Sequence, residues 1–342
     1  MTPRILLICL LLLCAACNTH VQRKVTPAFY YWKQTWTGNT TELQYVQQLP
    51  AKRLYIKMFD VDLDEITKEP VPVAIFRQRA PFPDSVDIVP VVFVMNEVWE
   101  KADSNLAPKI ARLLQQLCDS IPAARMPEIQ LDCDWTKTTR ANYFSFIQQI
   151  KKQPFFQHRQ LSATIRMYQL KYLTSSGVPP VDKGLLMCYN MGDLHKPGDH
   201  NSILDVATMT SYIGNDRIAG YPLPLDIALP LFEWSVLFRN GQYIGILRNV
   251  GEKELRNTLL FTHSGERLYT VQKDTLISGY PLQKGNVVRR ETSDHKALEA
   301  SARLVAQQRQ AYDPIIIFYH LDSVTLHNYP LDELQKIYRL FN

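Results

Sequence analysis

The sequence predicts an α/β fold: a (β/α)8 barrel of the TIM type, with an irregular second helix and an insertion after strand seven. Three observations lead there. Eight short, nearly continuous apolar runs recur along the 342 residues, as parallel strands covered on both faces require. Amphipathic helical patterns separate several of these runs. The chain ends on a helix, and its length suits one large barrel.

The strands are read over 28–33, 53–59, 88–95, 128–134, 161–168, 184–190, 225–234 and 314–320. Asn39 and Glu42 form a capping pair that opens a helix burying Leu43, Val46 and Leu49. Leu106, Ile110, Leu113, Leu114 and Leu117 make one helical stripe, and Phe144, Ile147 and Ile150 make another. The last helix buries Leu334, Ile337, Tyr338 and Phe341. Residues 62–87 carry four Pro and little helical pattern, so the second helix is expected to be weak or replaced. Residues 248–312 are too long for one connection. They read as an insertion decorating the barrel, with a hairpin-like LYTVQKDTLISGY and a helix from about 295 to 310.

With 46% hydrophobic and 21% charged residues, the chain can bury a large core, which excludes disorder, collagen and coiled coil. The formal net charge of +5 comes with no long basic run, so nucleic acid is not an expected partner. Arg4, the apolar run 5–14 and then Ala15-Ala16-Cys17 have the pattern of a secretory signal. This stretch resembles a bacterial lipoprotein signal, in which the Cys after the cleavage site carries the lipid. Cys14 stands where Leu is usual, and a plain secretory signal or an uncleaved anchor is the alternative. The expected organisation is a signal over 1–17 with lipidated Cys17, a tether over 18–26, and a single barrel domain over 27–342. The resemblance implies a lipid-anchored protein of the bacterial cell envelope, facing the periplasm or lying at the outer membrane. Of the remaining cysteines, Cys118, Cys133 and Cys188 form no C-x-x-C pair and read as free buried thiols. Neither the cysteines nor the histidines show metal spacing, so no metal and no cofactor are expected.

Barrel enzymes carry their chemistry at the C-terminal ends of the strands. Polar residues follow the apolar runs at Asp60, Asn96-Glu97, Asp132-Cys133-Asp134, Tyr189-Asn190, Glu233-Trp234 and His320-Leu321-Asp322. Along strand four, period two points Asp132, Asp134 and Thr136 the same way, leaving Cys133 and Trp135 toward the helices. Two close carboxylates raise one another's pKa and can keep one protonated for acid work. Alternatively, Asp132 pairs with a neighbouring cation, Arg166 or Lys57, and only props up the barrel. Trp32, with Tyr30, Tyr31 and Trp36, offers rings on which sugar CH faces could pack.

The run LDCDWT resembles the strand-four signature D-x-x-D-x-D-W-E of glycoside hydrolase family 18, the chitinase class. Asp132, Asp134 and Trp135 fall on its last two Asp and its Trp. Met187-Cys188-Tyr189-Asn190 is similar to that family's M-x-Y-[DN] end of strand six. The resemblance implies a glycan ligand, with an N-acetylated one as a candidate, since in the family the substrate's own N-acetyl group is the nucleophile. Three positions depart from it. The catalytic Glu is here Thr136, the first Asp falls on Ile129, and Tyr319 and His320 stand where a Trp usually closes strand eight. Thr cannot protonate a leaving oxygen at neutral pH.

Two functions therefore remain open. In one, the chain is a hydrolase using Asp132 and Asp134 with a displaced acid, for which Glu233, Asp60 and Glu97 are the candidates. In the other, it is a non-catalytic glycan-binding barrel. Tyr189, Asn190, Trp32, Asp60, Glu97 and Trp234 are the candidate binding residues in either case. An envelope scaffold with no small ligand is the third possibility. Residues from roughly 50 to 250 also resemble an uncharacterised bacterial secreted barrel domain, which implies a fold and an origin but no activity.

Overall fold

The structure, a computed structural model, describes residues 23–101, 105–308, 310 and 312–342. The signal and the lipidation position Cys17 lie outside them, as does most of the tether. Eight parallel strands close into a barrel: β1 (Thr26–Tyr31), β2 (Arg53–Leu63), β3 (Asp87–Val94), β4 (Glu128–Asp132), β5 (Gln160–Arg166), β6 (Lys183–Met187), β7 (Leu225–Pro230) and β8 (Ile315–Tyr319). Each pairs with its sequence neighbour, and β1 pairs with both β2 and β8, which leaves the barrel without an open edge. All eight apolar runs are strands of this barrel.

Strand parity follows the pleat. Along β4, Ile129 and Leu131 are buried against the helix layer, while Glu128, Gln130 and Asp132 face the axis and meet side chains of other barrel strands. Gly184 of β6 lies where a Cβ would fall 2.7 Å from Leu225 and 2.9 Å from Ile165, so a side chain there would drive the neighbouring strands apart.

Around the barrel run helices α1 (Thr40–Gln48), α2 (Leu106–Leu117), α3 (Arg140–Ile150), α4 (Val206–Ile213), α5 (His295–Gln307) and α6 (Leu331–Arg339). The Asn39 side chain caps α1 by accepting from the amides of Thr41 and Glu42. Between β2 and β3 the Pro-rich segment forms no helix. Instead Pro70–Val73 turns back antiparallel along the end of β2, because proline removes helical donors and suits an edge strand.

The axis is filled from below by charge. Glu128 is fully buried and is reached by Arg53 (2.7 Å), Lys183 (2.8 Å), the Tyr55 hydroxyl (3.1 Å) and the Ser162 hydroxyl (2.6 Å). Lys183 also contacts Asp226 at 2.5 Å, and Asp226 accepts from the Ile315 amide. Burial opposes the charge on Lys183, but Asp226 and then Glu128 outweigh it and hold the ammonium above its usual range. Two cations and two carboxylates thus close the barrel floor.

Strand seven stops at Pro230, short of the expected 234. Apolar character runs on through Leu231 and Phe232, so composition alone does not mark the end. Glu233 and Trp234 instead open a second, five-stranded antiparallel sheet built from Glu233–Arg239, Gln242–Leu247, Phe261–His263, Leu268–Val271 and Val287–Thr292. Its start lies ahead of the 248 read from sequence. The sheet has a small core of its own that includes Leu237, Leu247, Phe261, Val271 and Val288. Its other face carries Arg289 and Glu291, an ion pair of 2.6 Å with both side chains fully buried.

Candidate functional site

The site begins with the end of β4. Asp132 is 5% exposed, and its Oδ1 accepts from the Thr164 hydroxyl of β5 at 2.6 Å. Burial, followed by the neighbouring Asp134, pushes its carboxyl up to about 7, against a smaller opposing effect of the Thr164 hydrogen bond. Asp134 is half-exposed and pairs with Arg166 Nε at 3.2 Å. Cys133 and Trp135 point the other way: Trp99 Nε1 donates to Cys133 Sγ at 2.9 Å, and Trp135 Nε1 donates to the Ser176 carbonyl. The cation that meets this pair of carboxylates is therefore Arg166, on Asp134, while Asp132 keeps a hydroxyl partner.

The loop beyond β4 is fastened at several points. The Trp135 carbonyl accepts from both the Tyr168 hydroxyl and Gln169 Nε2. Thr139 accepts from the Thr136 amide and donates to Asn96 Oδ1 at 2.6 Å. The Thr136 hydroxyl contacts those of Thr138 (2.8 Å) and Thr139 (3.2 Å), so it serves the turn that leads into α3.

Tyr189, just beyond the end of β6, is 2% exposed, and its hydroxyl is buried without a hydrogen-bond partner among the described residues. Burial raises its pKa well above the usual range, with Tyr319 and Asp132 adding to the effect. Its ring stacks on Tyr319 at 5.1 Å between centroids. Tyr319 in turn meets Trp32 (5.5 Å), Tyr30 (5.6 Å) and Phe232 (5.6 Å), and Phe232 meets Trp234 (5.3 Å). A continuous aromatic wall thus runs across the mouth from Trp32 to Trp234. Asn190 has a positive φ of 52°, and its Oδ1 is also buried without a partner. A cleft of about 110 Å³ opens between Asp134, Arg166, Tyr168, Asn190, Met191 and Tyr212.

The remaining candidates separate. Asp60 turns into the mouth and pairs with Lys57 at 2.9 Å, and burial raises its pKa against the pull of that lysine. Glu97 lies exposed on the short 3-10 helix Asn96–Glu100. Glu233 belongs to the inserted sheet, where Arg290 holds it at 2.6 Å. Sequence reading missed the Arg289–Glu291 pair. Arg289 donates to the carbonyls of Leu194, Lys196 and Gly198, and Glu291 accepts from the Ser202 amide and from Trp234 Nε1. The inserted sheet thereby fixes the loop that follows Tyr189 and Asn190. The run VVRRET has no apolar–polar alternation, so nothing in its pattern marked Arg289 and Glu291 as buried.

No family model matches the chain, and no curated protein does. Solved structures share its fold. The chain is similar to the spore cortex-lytic enzyme SleL of Bacillus megaterium QM B1551, at 10% identity and a TM-score of 0.53, over 93% of this chain and 74% of that one. It is similar to the C-terminal domain of a putative chitinase from Desulfitobacterium hafniense DCB-2, at 10% identity and a TM-score of 0.52, over 93% and 100%. A class V chitinase from Pseudomonas fluorescens Pf-5 gives 10% identity and a TM-score of 0.51, over 94% and 99%. The fold of this chain is that of a chitinase-like TIM barrel.

Proposed function

We propose that the barrel mouth binds a glycan carrying N-acetyl groups, and that the strand-four acid route to its hydrolysis is closed. One observation carries this reading: Asp132, Asp134 and the unpartnered Tyr189 hydroxyl converge beside an aromatic wall at the C-terminal end of a chitinase-like barrel. Buried acceptors and donors without partners are costly unless a ligand or water satisfies them. Sugar hydroxyls and an acetamido group supply both. Asp134 accepts, the Tyr189 hydroxyl donates, and Trp234 offers a flat face to sugar CH groups. The acid route is closed because residue 136 is Thr, with its hydroxyl turned to Thr138 and Thr139.

Hydrolysis by a displaced acid is the second reading. It is favoured by the Asp132 carboxyl, which stays protonated up to about pH 7 and so has a proton to give. A screen of the chain from residue 18 onward against N-acetylated and non-acetylated oligosaccharides, read for both binding and cleavage, separates the two. Binding without cleavage supports the first reading, and cleavage abolished by Asp132→Asn supports the second. Neither would leave an envelope scaffold.

The chain is further proposed to be a bacterial envelope lipoprotein held to the membrane through Cys17. This rests on the pattern of residues 1–17. Cys17→Ala should move the protein from the membrane fraction to the soluble one. A variant that stays as tightly membrane-bound as wild type would end this proposal.

A further inference from the structure

The β1–β2 side of the mouth carries a polar arrangement that strand parity alone would not produce. Lys57 and Asp60 are three residues apart, so a regular strand would point them to opposite faces. The pairing of β2 with β3 shifts register between Lys57 and Phe59, and Asp60 then lies opposite Phe93. This bulge turns both side chains to the barrel axis. Lys57 is only 7% exposed, yet its Nζ reaches Asp60 Oδ2 at 2.9 Å and lies 5.5 Å from the centre of the Trp32 ring. The other carboxyl oxygen, Asp60 Oδ1, is buried and has no partner. Phe93 pairs with Asp132 on its far side, so Asp60, Phe93 and Asp132 form one row across three strands. Two strand spacings, about 9.6 Å, separate the backbones of the two aspartates.

We propose that Trp32, Lys57 and Asp60 form a second sugar subsite, separate from the Asp132–Asp134 end of the mouth, which reads the hydroxyl groups of a neighbouring sugar unit. The inference rests on the glycan-binding reading. Asp60 Oδ1 accepts a sugar hydroxyl, Lys57 donates to an adjacent one, and the half-buried Trp32 ring packs on the CH face between them. Asp60 stands on β2 and Asp132 on β4, with Phe93 of β3 between them, so the two carboxyls enter the mouth from different strands.

The test is calorimetric titration of the chain from residue 18 onward with N-acetylglucosamine tetramer. The variants are Asp60→Asn, the charge-free pair Lys57→Gln/Asp60→Asn, and Trp32→Ala. The double variant leaves no unpaired buried charge, so it retains the fold if Asp60→Asn does not; circular dichroism checks this. A Kd weakened about ten- to hundredfold in the double variant and in Trp32→Ala supports the subsite. The loss should add in free energy to that of Asp134→Asn, as separate sites require. If the folded double variant binds the tetramer within twofold of wild type while Asp134→Asn does not, the subsite is wrong and the glycan-binding reading stands. If wild type itself fails to bind, both fall.

Discussion

Arg166 Nε lies 3.2 Å from Asp134 Oδ1, so the outer carboxylate of strand four is already paired with a cation before any ligand arrives. Among the described residues, the inner carboxylate, Asp132, meets only the Thr164 hydroxyl. Two aspartates at and just beyond the end of one strand thus receive opposite treatment, one salt-bridged and half-exposed, the other buried and held protonated to about pH 7. Pushing neighbouring carboxyls apart in this way is how a protein assigns them different roles.

Asp132 should make stability depend on pH. Its folded pKa lies above the unfolded carboxylate value, so its contribution is fully present below about pH 4 and is lost as pH rises through about 7. Asp132→Asn keeps the shape of the protonated form and cannot ionise. The variant should gain on the order of 2–4 kcal/mol over wild type at pH 8, and almost nothing at pH 4. Chemical denaturation at the two pH values measures this. An equal difference at both would mean that Asp132 is not held protonated.

Thr164→Val should raise the Asp132 pKa further. The hydroxyl donates to the carboxylate and so favours its charged form. NMR titration of the Asp132 side-chain carboxyl reads the shift directly, and a fall in pKa would contradict the geometry.

The floor of the barrel is structural on this account. Glu128→Gln leaves Arg53 and Lys183 without their shared carboxylate and should cost roughly 3–5 kcal/mol of stability. Tetramer affinity at a temperature where the variant is folded should stay within twofold of wild type. A large loss of affinity with unchanged stability would move the functional centre from the mouth to the floor.

Arg289→Met removes the guanidinium that holds three carbonyls of the loop after β6. Hydrogen exchange should then accelerate across residues 192–202, with stability lowered by roughly 3–5 kcal/mol because Glu291 is left buried and unpaired. Unchanged protection in that loop would show that the inserted sheet does not fix it.

The barrel was legible because each of its strands carries a buried apolar row toward the helices, and because the run from Glu128 to Asp134 alternates strictly. The same rule concealed other features. At Met58 a bulge breaks period two, so the pairing of Lys57 with Asp60 could not be read from spacing. At Pro230 the chain leaves the barrel while staying apolar, which carried Glu233 and Trp234 into the wrong sheet. Arg53, Lys183 and Asp226 sit at the N-terminal ends of strands, opposite the end where barrel enzymes carry their chemistry. Only their three-dimensional convergence identifies them, Arg53 and Lys183 on Glu128 and Asp226 on Lys183.

Thr136→Glu tests the closed acid route. It restores a carboxyl at the strand position where the chitinase-class signature has one, and removes the hydroxyl that Thr138 and Thr139 contact. General acid assistance contributes about 10²–10⁴-fold where geometry is right. A weak gain of cleavage on a chromogenic N-acetylglucosamine oligomer, over a wild type with none, is expected. Wild-type cleavage that the substitution reduces would point to a displaced acid instead.

The most direct test of the central claim is a calorimetric comparison of two tetramers, one of N-acetylglucosamine and one of unacetylated glucosamine, on the chain from residue 18 onward. The account predicts saturable binding of the acetylated tetramer, at least tenfold tighter than the unacetylated one, and weakened in Asp134→Asn and in Tyr189→Phe. Each of these variants removes one polar partner at the mouth, and a hydrogen bond involving a charged group contributes about 1.5–3 kcal/mol. Absence of binding by the folded wild-type protein, or equal affinity for both tetramers that neither variant changes, would contradict it.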